Sequence, residues 1–177
     1  MAEQPKKDLF DLNALSSESV PGLADPFFPD DPDEILDGEK YVVFEINKEN
    51  YAIMSDRVAE VVRMLPVTEI PNIPGWFLGI ANLRGDILSV IDLSGVMNKD
   101  MADSSPKAKL VVLTSEGSDT NLAFRVDRLR EIIVLTEEQI DSSSDNRNHL
   151  LTGIADYKSL PLNVLDVPEI ISSLALR

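Results

Sequence analysis

Two stretches of this chain repeat, in the same order and at nearly the same distance. Asp56-Arg-Val-Ala-Glu-Val-Val62 aligns without gaps on Asp127-Arg-Leu-Arg-Glu-Ile-Ile133, an offset of 71 residues. Gly79-Ile-Ala-Asn-Leu-Arg-Gly-Asp-Ile-Leu-Ser-Val-Ile-Asp-Leu93 aligns on the stretch from Gly153 to Val167 at an offset of 74, with six identities in fifteen positions. Apolar strands produce isolated matches by chance, but two ordered segments at similar offsets read as an internal duplication. Copies of about 65 residues are marginal as independent domains, so each gains by burying apolar surface against the other. Repeat one runs from about 41 to 97 and repeat two from about 109 to 171.

The pattern inside each copy is that of short strands. In Tyr41-Val-Val-Phe-Glu-Ile46, residues Val42, Phe44 and Ile46 fall on one face, and Asn47-Lys-Glu-Asn50 reads as a hairpin turn into Tyr51–Met54. Val58–Met64 is β-branched with polar breaks at Glu60 and Arg63, as a third strand would be. Pro66, Pro71 and Pro74 forbid a regular central strand or helix between them, which makes that segment a connector. Trp76–Leu83 and Ile87–Leu93 flank the turn Arg84-Gly85-Asp86, and Ser94–Met97 fits one helical turn.

The second copy follows suit. Lys109–Thr114 and Asn121–Asp127 flank the turn formers Ser115–Thr120, and Leu129–Leu135 is another strand. Thr136-Glu-Glu-Gln139 has the spacing of a capping box. Asp141–Asn148 is a polar loop, Leu150–Tyr157 and Leu160–Leu165 make a last strand pair, and Val167–Leu176 has helical spacing. Five short strands per copy are too few for a sandwich, and a closed barrel leaves few open edges. The predicted fold is all-β: two similar five-stranded barrels packed together, with short helices at connections and at the C-terminus.

Composition then removes most chemistry. The 177 residues include no cysteine and one histidine, His149, which excludes thiol nucleophiles, Cys/His zinc sites and mechanisms needing two imidazoles. His149 reads as a surface residue. Thirty-one acidic against sixteen basic residues leave a net charge of -15, which repels nucleic acid and anionic membrane and favours protein or cation partners. A single-strand-binding barrel needs a basic groove with stacking aromatics, and aromatics are 6% of residues here. A hydrolase with paired carboxylates stays possible, but no acid pair stands out from the solvated background.

The charge is uneven. Residues 1–38 hold ten acids, two lysines and five of the eleven prolines, a net of -8, against -7 for the other 139 residues. With no sustained hydrophobic period, this stretch reads as a disordered extension ahead of a domain from 39 to 177. The segment Asp8–Leu15 fits a short linear motif that forms a helical turn on a partner. The acid clusters at Asp30–Glu34 and Asp141–Asn146 lack the glycine and ligand spacing of a calcium loop. The opening has no basic segment followed by an apolar one, so it is not a secretory signal, and the absence of cysteine is compatible with the cytoplasm. No apolar run reaches the roughly 18 residues of a membrane span.

The duplication also selects charged positions. Glu60 corresponds to Glu131, and Arg84 to Lys158, so each copy carries one acid in its third strand and one base in its late hairpin. If they meet, each forms an ion pair between hairpin and strand. An exposed pair contributes about 0.2–1 kcal/mol, so a role in a partner surface is the sharper reading for Glu60 and Arg84.

Tyr51-Ala-Ile53 leading to Val58-Ala-Glu-Val-Val-Arg63, Gly79-Ile-Ala-Asn-Leu-Arg-Gly85 with Val90-Ile-Asp-Leu93, and Val126-Asp127 with Leu135-Thr-Glu-Glu-Gln-Ile140 resemble the CheW-type chemotaxis coupling proteins. The resemblance runs from about Tyr41 to Ile171, and Asn-Leu-Arg-Gly is its most specific element. It implies two five-stranded SH3-like barrels, no catalytic activity, no cofactor, and a cytoplasmic adaptor. The implied partners are the regulatory domain of a CheA-type histidine kinase and the cytoplasmic hairpin tip of methyl-accepting chemoreceptors. By position, Arg84 matches the family's functional arginine and Glu60 the acid that pairs with it. Val58 and Gly79 match positions tied to receptor coupling, and Leu129 and Ile132 match apolar positions of the same surface. Val58, Leu129 and Ile132 are also ordinary strand residues that fit a plain core.

Three positions depart from the family pattern: Ala123 where glycine is usual, Arg125 within an apolar strand, and Pro161 in the last strand, where only an edge or bulge tolerates it. With the long acidic extension, these departures leave open a type IV pilus or phototaxis signalling cluster in place of flagellar chemotaxis.

Overall fold

The computed structural model describes residues 38–100, 105–114, 121–142 and 149–175. The readings of the extension, of the turn Ser115–Thr120 and of most of the loop after Asp141 fall outside those residues. The elements are β1 (Glu39–Ile46), β2 (Glu49–Met54), β3 (Val58–Arg63), β4 (Val67–Thr68), β5 (Phe77–Leu83), β6 (Asp86–Asp92), α1 (Leu93–Val96), β7 (Lys109–Leu113), β8 (Asn121–Val126), β9 (Arg128–Leu135), β10 (Leu151–Tyr157), β11 (Leu160–Leu165) and α2 (Val167–Ala175).

Local chemistry explains the hairpins. Asn47 and Lys48 both have positive φ, 52° and 67°, the geometry of a two-residue turn whose twist matches the flanking strands. Arg84 and Gly85 do the same at 55° and 104°, and Lys158 and Ser159 at 52° and 62°. The last two turns are held alike: the Gly85 amide donates to Asn82 Oδ1 at 3.2 Å, and the Ser159 amide to Asp156 Oδ1 at 3.0 Å. The Thr136–Gln139 capping box forms around the 3-10 turn Glu137–Gln139.

The strands assemble into two sheets, ordered β10-β11-β2-β1-β9 and β3-β7-β8-β6-β5-β4. Each sheet takes its first hairpin from one copy and its later strands from the other. The copies therefore do not close barrels separately. Exchange is made at two parallel pairings, β11 with β2 starting at Leu162 and Asn50 and β6 with β8 starting at Leu88 and Asn121, and at two antiparallel ones, β1 with β9 and β3 with β7. Pro161 is tolerated as the second residue of β11, beside the β10–β11 turn and one residue before the pairing with β2 begins.

The exchange decides which surfaces are buried. Tyr41 and Val43 of β1 point with Ala52, Ile133, Leu135, Leu162 and Val164 into one barrel. On its other face Val42, Phe44 and Ile46 join Ile91, Val111, Leu113, Phe124 and Val126 in a core shared by both sheets, capped by Leu93, Val96 and Ile170 from the helices. Ala81, Leu88, Val90, Leu110, Val112 and Ala123 fill the second barrel. Strands buried on both faces show near-continuous apolar runs, and Tyr41–Phe44 are all buried.

Closure depends on two equivalent glycines. The connector after β3 is not wholly irregular: Val67 and Thr68 form β4 and pair with Ala81 and Ile80 of β5, joining the two edges of that sheet. In the other sheet Asp141 bridges Ile154 in the same way. A side chain on Gly79 would put its Cβ 2.2 Å from the Thr68 carbonyl oxygen, and one on Gly153 would meet Ile140 Cγ2 at 2.6 Å and the Asp141 carbonyl oxygen at 2.8 Å. Absent side chains let the closing segment reach its partner strand.

Candidate partner-binding site

Glu60 projects from β3, and Arg84 from the β5–β6 turn. A bulge in β3 between Val58 and Glu60 shifts the register against β7 and re-aims the acid. The guanidinium meets it in a fork, with Nη1 donating to Oε1 at 3.2 Å and Nη2 to Oε2 at 3.0 Å. Such planar, two-point geometry suits arginine and would be lost with lysine. The Arg84 side chain is 66% exposed and that of Glu60 31%, so the pair adds little to stability. What it fixes is shape. Together with Ala59, Leu83, Asp86 and Asn121 it walls a small groove of about 210 Å³ on the barrel surface.

The six residues marked in the sequence fall in two places. Val58, Glu60, Gly79 and Arg84 belong to the β3–β8 sheet; Leu129 and Ile132 lie on β9, the edge strand of the other. Val58 is half-buried and packs on the shared core, and Gly79 is buried at φ +134°. Leu129 and Ile132 are not core: they are 38% and 47% exposed on a strand whose register shifts opposite Val42 and Phe44. One exposed apolar residue escaped the sequence reading. Ile87 in β6 is 64% exposed, although its place in an apolar run suggested burial.

The second copy forms its pair too. Lys158 Nζ donates to Glu131 Oε1, and the Tyr157 hydroxyl donates to the same oxygen. The Lys158 and Tyr157 hydrogen bonds hold the Glu131 carboxyl below the ordinary glutamate range. A similar trio forms elsewhere, where the Lys99 ammonium and the Tyr51 hydroxyl converge on Glu49 and lower its pKa. Burial pushes the Tyr51 phenol up to about 12.

Arg125, out of pattern for an apolar strand, has a structural explanation. It faces Asp92 across the parallel β6–β8 pairing and binds its carboxylate. Asp92 is 1% exposed and also accepts from the Ser94 amide at 2.9 Å, so a buried charge that caps α1 acquires a cation. Among the described residues no group of three or more His, Asp or Glu is arranged to hold a metal ion, and no helix is long and apolar enough to cross a membrane.

Two exchanged β-barrels with a charged clamp on one rim define a class of contact-making modules. Residues 40–175 match the model of the CheW-like domain, and the chain belongs to that family. The chemotaxis protein CheW of Bacillus subtilis is 25% identical over 142 residues, spanning 78% of this chain and 90% of that one. The CheW of Helicobacter pylori is 30% identical over 146 residues, spanning 80% and 85%. Among solved structures, the scaffolding protein TtCheW from Thermoanaerobacter tengcongensis superposes with a TM-score of 0.66 at 27% identity, covering 73% of this chain and 85% of that one.

Proposed function

We propose that this chain is a non-enzymatic adaptor of a chemotaxis-type signalling system, bridging methyl-accepting chemoreceptors and a CheA-type histidine kinase. Family membership supports the scaffold role. The observation that carries the site is the Glu60–Arg84 fork: a two-point pair that contributes little to stability, exposed on a groove rim. Glu60 and Arg84 set the groove wall, and Val58 and Gly79 support the strands behind it. Leu129 and Ile132 offer apolar contact area for an amphipathic receptor hairpin. The kinase contributes its regulatory domain, and the adaptor works in the cytoplasm, held at membrane receptor arrays by its partners.

Among the described residues the carboxyl groups with displaced pKa values, Glu49 and Glu131, are shifted down, opposite to what a proton donor in a hydrolase requires. Mixing the full chain with its cognate kinase regulatory domain and a receptor cytoplasmic tip should yield one co-eluting complex. Failure to bind either component ends the proposal. Arg84→Glu should abolish receptor control of the kinase while the circular dichroism spectrum stays that of the wild type; retained control would remove Arg84 from the site.

A further inference from the structure

The internal duplication builds the Glu60–Arg84 groove a second time, and there its chemistry is inverted. The equivalent depression in the other sheet is larger, about 450 Å³, and is bordered by Lys48, Arg128, Arg130 and Lys158, with Glu131 as the one acid among its lining residues. These four cations come from three elements. Lys48 stands at the β1–β2 turn, Arg128 and Arg130 open β9, and Lys158 occupies the β10–β11 turn. Arg130 binds Glu45 and Lys158 binds Glu131, which orients both side chains at the rim. Arg128 and Lys48 are exposed and make no ion pair among the described residues. Two apolar side chains share the depression, Leu129 at 38% and Leu160 at 55% exposure.

In a chain of net charge -15, four clustered cations are a local reversal of sign. Fields from exposed charges fade over about 8 Å at physiological salt, so the groove acts on what touches it even though the molecule as a whole is acidic. Cations interleaved with leucines fit a ligand that interleaves carboxylates with apolar side chains. Nucleic acid is the poorer match, because phosphates gain nothing from Leu129 and Leu160 and the whole chain repels a polyanion.

We propose that the groove bordered by Lys48, Arg128, Arg130 and Lys158 binds an acidic protein segment carrying apolar residues between its carboxylates. This goes beyond the adaptor reading: it shares Leu129 with the apolar area assigned there but uses neither Glu60 nor Arg84. The probe is a fluorescein-labelled twelve-residue peptide of repeating Glu-Glu-Leu, titrated with the full chain and followed by anisotropy at low and physiological salt. Saturable binding that weakens as salt rises is expected. Lys48→Glu combined with Arg128→Glu should weaken it about tenfold or more, since both side chains are exposed and the fold does not depend on them. Leu160→Ser, or a Glu-Glu-Ser peptide, should weaken it about threefold. Arg84→Glu should leave it unchanged, which separates this proposal from the adaptor function. No binding, equal binding by the double variant, equal binding of the Glu-Glu-Ser peptide, or tighter binding of a twelve-nucleotide oligothymidine would each overturn it.

Discussion

The two barrels share strand order, the late hairpin turn, closing glycines and an acid-to-base pair, yet they present opposite surfaces. In one, arginine grips Glu60 through two hydrogen bonds on the rim of a small groove. In the other, lysine and tyrosine meet at one oxygen of Glu131, on a wider depression rich in cations. The shared parts lie where chain segments must pass close or pair, and the divergent parts lie where solvent or a partner is met. Duplication thus preserved the framework and left the two surfaces free to specialise.

The sharpest way to break the comparison is at the pair of equivalent aspartates, Asp92 and Asp166. Asp92 is buried beside Arg125, whereas Asp166 is partly exposed and accepts from the Glu169 amide at 3.0 Å. Arg125→Met leaves a buried carboxylate without this cation and should lower the unfolding free energy by about 3–5 kcal/mol in urea melts. Asp166→Ala should lower it by only about 1 kcal/mol, the ordinary value of a helix cap. Similar losses for the two variants would mean that burial does not distinguish the halves.

The closing glycines come next. Gly79→Ala forces a side chain onto the Thr68 backbone at a positive φ, and a loss of about 2–3 kcal/mol is expected. Gly153 has no positive φ, and although a Cβ there meets Ile140 Cγ2 and the Asp141 carbonyl oxygen, its contacts are longer than the 2.2 Å at Gly79, so Gly153→Ala should lose less, about 1–2 kcal/mol. Thermal melts that rank the two in the reverse order would refute the closure argument.

Arg84→Glu should alter stability by under about 1 kcal/mol while removing kinase coupling, so denaturant midpoint and coupling assay must diverge. A parallel fall in both would make Arg84 structural.

The smallest effect is set by pH. Glu49 and Glu131, both in the β10-β11-β2-β1-β9 sheet, have carboxyl pKa values lowered below the reference 4.5 in the folded state. Depressed carboxylates contribute stability above the unfolded pKa and lose it as pH falls through the folded one. Below about pH 4.5, amide exchange should therefore speed up first in that sheet. Tyr51, raised to about 12, works at the other end: its share is present below pH 10 and disappears as pH climbs toward 12. Uniform exchange changes across both sheets at acid pH would show that these two glutamates do not set the acid limb.

Much of this molecule was legible before any coordinates. Strand positions, the late hairpins and the capping box followed from periodicity and turn residues, and the Glu60–Arg84 and Glu131–Lys158 pairs followed from aligning the two copies. Other features were hidden for identifiable reasons. β4 is only two residues long and lies between prolines, so no periodic signal marks it. Arg125 looked out of place because its partner, Asp92, lies 33 residues away across a parallel junction. Ile87 sits in an apolar run, and only the position of the β5–β6 turn puts it in solvent.

By itself the sequence determined the class of structure and the doubling, because alternation, turn chemistry and internal similarity are local properties of the chain. The tertiary structure alone decided that the two copies exchange their first hairpins, that β1 faces two different cores, and that the copied groove became basic. Those outcomes depend on pairings such as β2 with β11 and β1 with β9, made between residues some eighty or more positions apart. Strands apolar on both faces carry no local mark of which partner each face will meet.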